Sequence, residues 1–190
     1  MAGQSRGVTS VIAIVLMVAV TVVVAATVSV VAIGLLENVR DPAPTVAQSS
    51  GKFLPQDGND GGIVQITHVS GDTVAVSDIE ISVRAACLSG TKEGRIGNLP
   101  AGDQNAIRES QGQITGDNIF DERSLRSIDN NADGVTDGGA LLHQEQFVSG
   151  DTILFRLPSD KCELTQGREI SVQVVHVPSE SIIIEQTLRA

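Results

Sequence analysis

The chain has 190 residues, and its 13 Lys and Arg against 23 Asp and Glu give a net charge of −10. This balance, without any run of Lys or Arg, excludes a general nucleic-acid binder, because phosphate binding needs clustered positive charge. With no Trp, no Tyr and only 4 Phe, a core must be built mainly from Val, Ile, Leu and Ala.

The first predicted element is a long apolar helix. An uncharged run extends from Gly7 to Leu36, well beyond the ~18 apolar residues that indicate a membrane span. Its many Val, Ile and Thr residues would weaken a helix in water. In lipid, however, a single segment satisfies its backbone hydrogen bonds only as a helix. We therefore predict a transmembrane helix over residues 8–40.

Two simple interpretations of this helix, a secretory signal peptide and a permanent signal anchor, require apolar segments of different length. A secretory signal peptide has an apolar region of only ~7–15 residues, which this run greatly exceeds. A permanent signal anchor fits the length. In an anchor, Arg6 stays on the cytoplasmic side by the positive-inside rule, which places residues 51–190 outside the cell.

The residues before the run add a family resemblance. Arg6-Gly7 is followed by Val8-Thr9-Ser10-Val11-Ile12 and an unbroken apolar stretch. This start resembles the class III signal peptides of archaeal, particularly haloarchaeal, type IV pilins, where a short basic leader precedes an apolar stretch beginning V-S-P-V-I-G. Ser10 stands in place of the usual Pro, and Ala13 in place of the usual Gly.

The resemblance implies a processing site. A prepilin peptidase would cut between Gly7 and Val8, with Arg6 ending the leader, so that residues 1–7 are removed. The remaining helix would be both the transmembrane segment and the core of a filament. Gly7 has no side chain, which suits a bond that a protease must approach closely.

The predicted helix ends in a proline-containing linker over residues 41–51. Asp41-Pro42-Ala43-Pro44 carries two prolines, which disfavour helix at and just before themselves. The following residues, up to Gly51, are small and mostly polar and indicate an extended connection.

The remaining residues, 52–190, predict an extracellular β domain. Alternation is clear in residues 79–86, where Ile79, Ile81, Val83 and Ala85 fall on one side of a strand. Similar β-branched runs occur at 63–69, 152–157, 169–177 and 181–188. Short turns between such strands indicate an antiparallel β-sandwich or small barrel, and with the helix an α+β protein.

A short sequence repeat lies within this domain. Val69-Ser70-Gly71-Asp72-Thr73-Val74 recurs as Val148-Ser149-Gly150-Asp151-Thr152-Ile153. Ser-Gly-Asp is turn chemistry, and the β-branched residues after it enter a strand. The repeat therefore indicates two similar turns, or a coincidence of common turn residues.

Residues 90–146 predict a long polar loop insertion with one candidate metal site. Asp129, Asn131, Asp133 and Asp137 fit the alternating oxygen ligands of a Ca²⁺ loop, with Gly134 at the bend. The bidentate Glu of a complete EF-hand is absent, because Ala140 occupies its position. An acidic turn without metal is the alternative, and no other cofactor is predicted.

The two cysteines, Cys87 and Cys162, would lie in an oxidising compartment. A disulfide between them would stabilise the domain by up to about 4.5 kcal/mol in the chain-entropy model. Two buried free thiols are the alternative.

No catalytic motif is present in the sequence, so we do not expect an enzyme. His68, His143 and His176 are scattered and match no metal-protease or nucleophile pattern. His68 and His176 are expected to be ordinary surface or strand-end residues.

The resemblance implies a pilin-like subunit of an extracellular pilus used for surface adhesion or cell–cell contact. Its partners would be the prepilin peptidase, an assembly ATPase and membrane platform, the membrane, and other copies through the helix, with no nucleic acid. The main alternative is a single-pass anchored binding protein that never polymerises. A minor pilin or an archaellin-related subunit is a closer variant of the same interpretation.

Overall fold

The structure is a computed structural model that describes residues 5–36, 42–58, 61–101, 106–122 and 144–190. Two units divide the chain, Met1–Asp41 and Pro42–Ala190. The first contains the helix α1, Ser5–Leu36, of 32 residues. The second contains the β-strands.

Antiparallel strands make up most of the second unit. In the described ranges they are β1 (Gln48–Pro55), β2 (Gly62–Ser70), β3 (Val74–Ala75), β4 (Ile79–Cys87), β5 (Gly90–Ile96), β6 (Ile114–Gly116), β7 (Gln146–Phe147), β8 (Thr152–Leu157), β9 (Glu169–His176) and β10 (Ser181–Arg189). One described sheet has the order β1-β2-β8, another β10-β9-β4-β5-β6, and β3 pairs with β7. The predicted α+β class is confirmed.

Strand β4 shows how the sequence pattern builds the core. Ile79, Ile81, Val83 and Ala85 are all buried, as their alternation predicts. On the neighbouring strand β9, Ile170, Val172 and Val174 are buried in the same way, opposite Ala85, Val83 and Ile81 respectively. The two strands together form the centre of one inner face of the sandwich.

The core is aliphatic with three phenylalanines, as the composition predicts. Phe120, Phe147 and Phe155 are fully buried among Val, Ile and Leu side chains. Phe120 meets Phe155 edge to face, with ring centroids 5.7 Å apart. Such a tilted pair is favourable because the positive edge of one ring meets the negative face of the other.

The two larger sheets approach each other at their edges without forming a closed barrel in the described part of the chain. At one edge the amide of Gln186 on β10 donates to the hydroxyl of Ser49 on β1, 2.9 Å away. At the other, the backbone N–H of Asp121 donates to the carbonyl of Arg156 on β8, and the side chains of these two residues form a buried ion pair at 3.3 Å. The Gln186 side chain thus covers one sheet edge, and the segment that contains Asp121 covers the edge at β8. Both edges would otherwise be open to pairing with another strand.

Part of the polar stretch 90–146 is strand. Strand β5 and strand β6 lie inside it and extend the larger sheet, with Ile96 paired to Ile114. Pattern alone does not reveal β5 because its sequence, GTKEGRI, has few apolar residues. Its pairing with β4 supplies the order that its own side chains do not indicate.

The strands give the domain two ends. Strands β1, β4, β8 and β10 begin at the end where residues 42–47 join the domain, here called the proximal end. They finish at the opposite, distal end, which carries Cys87, Cys162 and the turn between β1 and β2.

Candidate functional site

The surface of α1 is apolar on every described face. Residues Val11–Val31 have a mean hydropathy of 3.0, and all of their side chains are exposed. A helix that is apolar all round is stable only where lipid or other protein surrounds it. By length and composition this helix can cross a membrane.

Three hydroxyl groups on α1 are bonded within the helix itself. Thr21 donates to the carbonyl of Val18 at 2.8 Å, and Thr27 donates to that of Val24 at 2.9 Å. Ser29 donates likewise to Ala25 at 2.8 Å. Because these donors need no outside partner, they do not oppose an apolar environment.

The predicted processing residues Arg6, Gly7 and Val8 lie in the first turns of the α1 backbone. The geometry of their side chains lies outside the described part. The cleavage site therefore stays a prediction from the sequence.

At the proximal end, the segment that follows α1 in the sequence is fixed to the β domain. The backbone N–H of Thr45 donates to the Asp72 carboxylate at 2.9 Å, and the N–H of Asp72 donates to the carbonyl of Thr45 at 2.9 Å. Gly71 has φ +137° and lies so close that a Cβ there would be 2.4 Å from the Thr45 carbonyl oxygen. Val46 packs against the core beside it. Only glycine fits this position, in both conformation and space.

The second copy of the Val-Ser-Gly-Asp turn uses its aspartate differently. The Asp151 carboxylate accepts the N–H of Val148 in its own turn, at 2.9 Å. Gly150 also has positive φ, +100°. The two turns adjoin, because the N–H of Gly150 donates to the carbonyl of His68 and the N–H of His68 to that of Asp151. The predicted turn chemistry is confirmed, and only the first turn binds the incoming segment.

His68 lies near the end of β2 but is buried, so of its two predicted positions, surface or strand end, the surface position is wrong. Its side chain is 0% exposed, and its ring lies 5.1 Å from that of Phe147. Neither ring nitrogen has a hydrogen-bond partner among the residues that the structure describes. His176 does lie at a strand end, where its Nδ1 is 2.7 Å from the hydroxyl of Ser179, but it is buried too. Polar runs such as Gln65-Ile66-Thr67-His68 do not reveal which side of a strand an imidazole occupies.

Cys87 and Cys162 are joined by a disulfide in the structure, with their Cα atoms 5.1 Å apart. Both residues are buried. The bridge ties the end of β4 to the loop after β8, and the N–H of Leu88 donates to the carbonyl of Glu163 beside it. These contacts fix the distal loop to the larger sheet.

A polar cluster that no sequence motif indicates surrounds Lys161. Its ammonium group donates to Asn118 Oδ1 at 2.9 Å, to the carbonyl of Phe120 at 2.7 Å and to Glu122 Oε1 at 3.0 Å. The Asn118 amide also donates to Glu122 Oε1, at 2.7 Å. These hydrogen bonds from Asn118 and then Lys161 lower the pKa of the Glu122 carboxyl. Local patterns miss the cluster because its members come from separate parts of the chain.

The predicted calcium ligands Asp129, Asn131, Asp133 and Asp137 lie outside the described residues. Among the residues that the structure does describe, no group of three or more His, Cys, Asp or Glu side chains could hold a metal ion. Calcium binding stays a prediction for the 129–137 loop, and a fall in melting temperature on chelation would test it.

The features described so far define a class of protein: an exposed apolar N-terminal helix, able to enter a membrane, followed by an antiparallel β domain. Residues 6–47 match the family model described as archaeal type IV pilin, N-terminal. This part of the chain is therefore similar to the N-terminal domain of archaeal type IV pilins, a family of structural subunits. No curated protein matches the chain.

Proposed function

We propose that this protein is a pilin subunit, cleaved by a prepilin peptidase between Gly7 and Val8 and assembled into an extracellular pilus. The observation that carries the proposal is the apolar helix α1, together with the match of residues 6–47 to the pilin N-terminal domain. In this scheme α1 first holds the subunit in the membrane and then packs against α1 of other subunits.

The chemistry of α1 suits both environments. Its described surface is made of Val, Ala, Ile, Leu and Met with a few hydroxyl residues bonded internally. Small and β-branched side chains allow close approach of helices where no hydrophobic difference from lipid drives association. Transfer from lipid into a bundle of like helices therefore exposes no polar group.

The proposed partners follow from this scheme. They are the prepilin peptidase, an assembly ATPase with its membrane platform, and further copies of the chain. The β domain lies outside the cell, where the net charge of −10, which resides in residues 51–190, helps to keep it soluble. Adhesion to surfaces or to other cells is the proposed role of the filament, and no catalytic role is proposed.

The mature N-terminus is the test of this function. Protein is recovered from native membranes and from sheared surface filaments, and its first residue is determined by sequencing and intact mass. A chain that begins at Val8 in the filaments is the expected result. A chain that keeps Met1 or Ala2 and occurs only in membranes would instead favour the anchored binding protein that does not polymerise.

A matched pair of variants isolates the peptidase step. Gly7→Phe places a large side chain at the bond to be cut and should leave the leader attached. Gly3→Phe makes the same change within the leader, four positions away, and should be processed normally. Normal shortening of the Gly7→Phe protein would contradict cleavage at this bond.

A further inference from the structure

A cavity of about 840 Å³ lies at the distal end of the β domain. Its lining includes Phe53 on β1, Gln56 in the turn after β1, and Ser159, Asp160, Glu163 and Gln166 from the loop after β8. This volume is in the range of small-molecule sites in proteins. The cavity is thus at the opposite end of the domain from Thr45 and Asp72, where the chain enters.

The walls of this distal cavity are held by contacts independent of any ligand. In the turn between β1 and β2, the N–H of Gln56 donates to the carbonyl of Gly61 at 2.7 Å. The Ser159 hydroxyl joins the two walls by donating to the carbonyl of Gly58 at 3.1 Å. The disulfide of Cys162 fixes the loop after β8. A site with fixed walls loses little conformational entropy when a ligand binds.

One wall is an aromatic ring. The Phe53 ring lies directly over Gly62, because a Cβ on that glycine would be only 2.1 Å from the ring atom Cζ. Phe53 is partly buried and is also one of the residues that line the cavity. Its exposed surface offers an apolar, polarisable platform for C–H groups.

The polar lining is rich in acceptors. The Asp160 and Glu163 side chains carry carboxylates, and Gln56 and Gln166, which also line the cavity, carry amide groups. None of the described lining residues is Lys or Arg. A ligand that supplies hydrogen-bond donors and carries no negative charge therefore fits this lining best.

Two nearby basic side chains are directed to other acceptors. Lys161 donates to Asn118, Phe120 and Glu122. Arg168 donates to the carbonyls of Ala86 and Cys87 and to the Thr165 hydroxyl. None of these acceptors lines the cavity. The two basic side chains are therefore bonded elsewhere, and the carboxylates of Asp160 and Glu163 keep the cavity lining negatively charged.

We propose that the distal cavity binds a neutral saccharide. A sugar ring has a C–H face that packs on an aromatic ring, and its hydroxyls donate to carboxylate and amide oxygens. Uronic and other acidic sugars are disfavoured by the carboxylates of Asp160 and Glu163. Only the location of this site on a surface filament rests on the proposed pilin function. Saccharide binding by the cavity does not require the subunit to assemble into a pilus.

The experiment measures binding to the full chain in detergent micelles by saturation-transfer NMR. The probes are the methyl glycosides of glucose, galactose and mannose, with methyl glucuronide as the matched anionic probe. At least one neutral glycoside should bind in the millimolar range, and the glucuronide at least tenfold more weakly. Asp160→Ala and Glu163→Ala, both at exposed positions, should each weaken binding at least fivefold. Glu145→Gln, at an exposed position remote from the cavity, is the charge control and should bind normally.

Several results would overturn the proposal. They are the absence of signal for every glycoside with folded protein, equal binding of glucoside and glucuronide, and binding that survives both alanine variants. Binding of arginine but not of its neutral analogue citrulline, without any glycoside signal, would assign the cavity to cationic ligands instead. None of these results bears on the mature N-terminus, so the pilin proposal stands or fails separately.

Discussion

At the residue scale, the cluster around Lys161 shows how a partly exposed ammonium group can organise a loop. Its three hydrogen bonds reach two side chains and a backbone carbonyl, and its own carbonyl accepts a bond from Lys92 at 2.6 Å. The Lys161–Glu122 pair is partly exposed, with 28% and 36% of the side-chain surfaces accessible. Solvent therefore screens the pair, and its contribution to stability is modest.

Glu122→Gln should lower the melting temperature at neutral pH by about 2 °C or less. Because the folded protein lowers the pKa of Glu122 below its ordinary value of 4.5, the carboxylate stabilises the fold above that value. The stabilisation is lost as the pH falls through the folded pKa. Thermal melts from pH 7 to pH 3 should thus show the gap between the two proteins closing. A gap that stays constant over this range would contradict the assignment, and Glu145→Gln controls for the loss of one surface carboxylate.

His68→Phe should leave the fold intact and raise its stability by up to about 1–3 kcal/mol, measured by denaturant unfolding. The reason is that two buried ring nitrogens, which have no hydrogen-bond partner in the described part of the chain, are removed, while an aromatic ring still packs on Phe147. His176→Phe is the matched control, because that imidazole does have a partner, Ser179, and the change should destabilise. If His68→Phe were the more destabilising of the two, a polar partner of His68 would have to exist.

At the element scale, the two Val-Ser-Gly-Asp turns form a comparison within one molecule. Asp151 closes its own turn, whereas Asp72 accepts the N–H of Thr45 and so holds the segment that connects to the helix. The difference arises because residues 42–47 run past the first turn, where Gly71 leaves room for them.

Asp72→Ala should increase hydrogen–deuterium exchange within residues 42–47, because the segment then opens more often. The increase should be roughly tenfold for each 1.4 kcal/mol by which the change destabilises the closed segment. Asp151→Ala removes an equivalent turn carboxylate and should leave exchange in that segment unchanged. Mass spectrometry of the peptic peptides covering residues 42–47 would compare the two variants. Equal exchange in both would mean that Asp72 does not fix the segment.

Strands differ in how far their own sequence reveals them. Strand β4 places its apolar residues on one side, so its alternation predicts both the strand and its buried face. Strand β5 has only its last residue, Ile96, as a large apolar side chain, and it becomes a strand by pairing with β4. Pairing with β4 in the sheet is a tertiary interaction, and it outweighs the weak preference of the β5 sequence for the strand conformation.

At the scale of the whole molecule, the disulfide joins positions 75 residues apart in the sequence. Reduction, or the double change Cys87→Ser and Cys162→Ser, should lower the free energy of unfolding by up to about 4.5 kcal/mol. The double variant should be insensitive to reductant, which provides the control. Alkylation of two thiols in unreduced, folded protein would argue against the bridge.

The sequence by itself determined the elements that depend on composition and on local period. An uncharged helix from Gly7 onward, the β domain after it and the buried face of β4 all follow from side-chain polarity read at the correct spacing. The pilin resemblance was also visible there, because its signal lies in consecutive residues around Arg6 and Gly7.

Only the tertiary structure decided which distant residues meet. The cluster of Lys161 with Asn118 and Glu122, the burial of His68 and the distal cavity beside Phe53 all join segments far apart in the chain. Local sequence does not encode these contacts, since strand order and register bring them together only after the sheets have paired. For the same reason, equal turns at Asp72 and Asp151 acquired different partners.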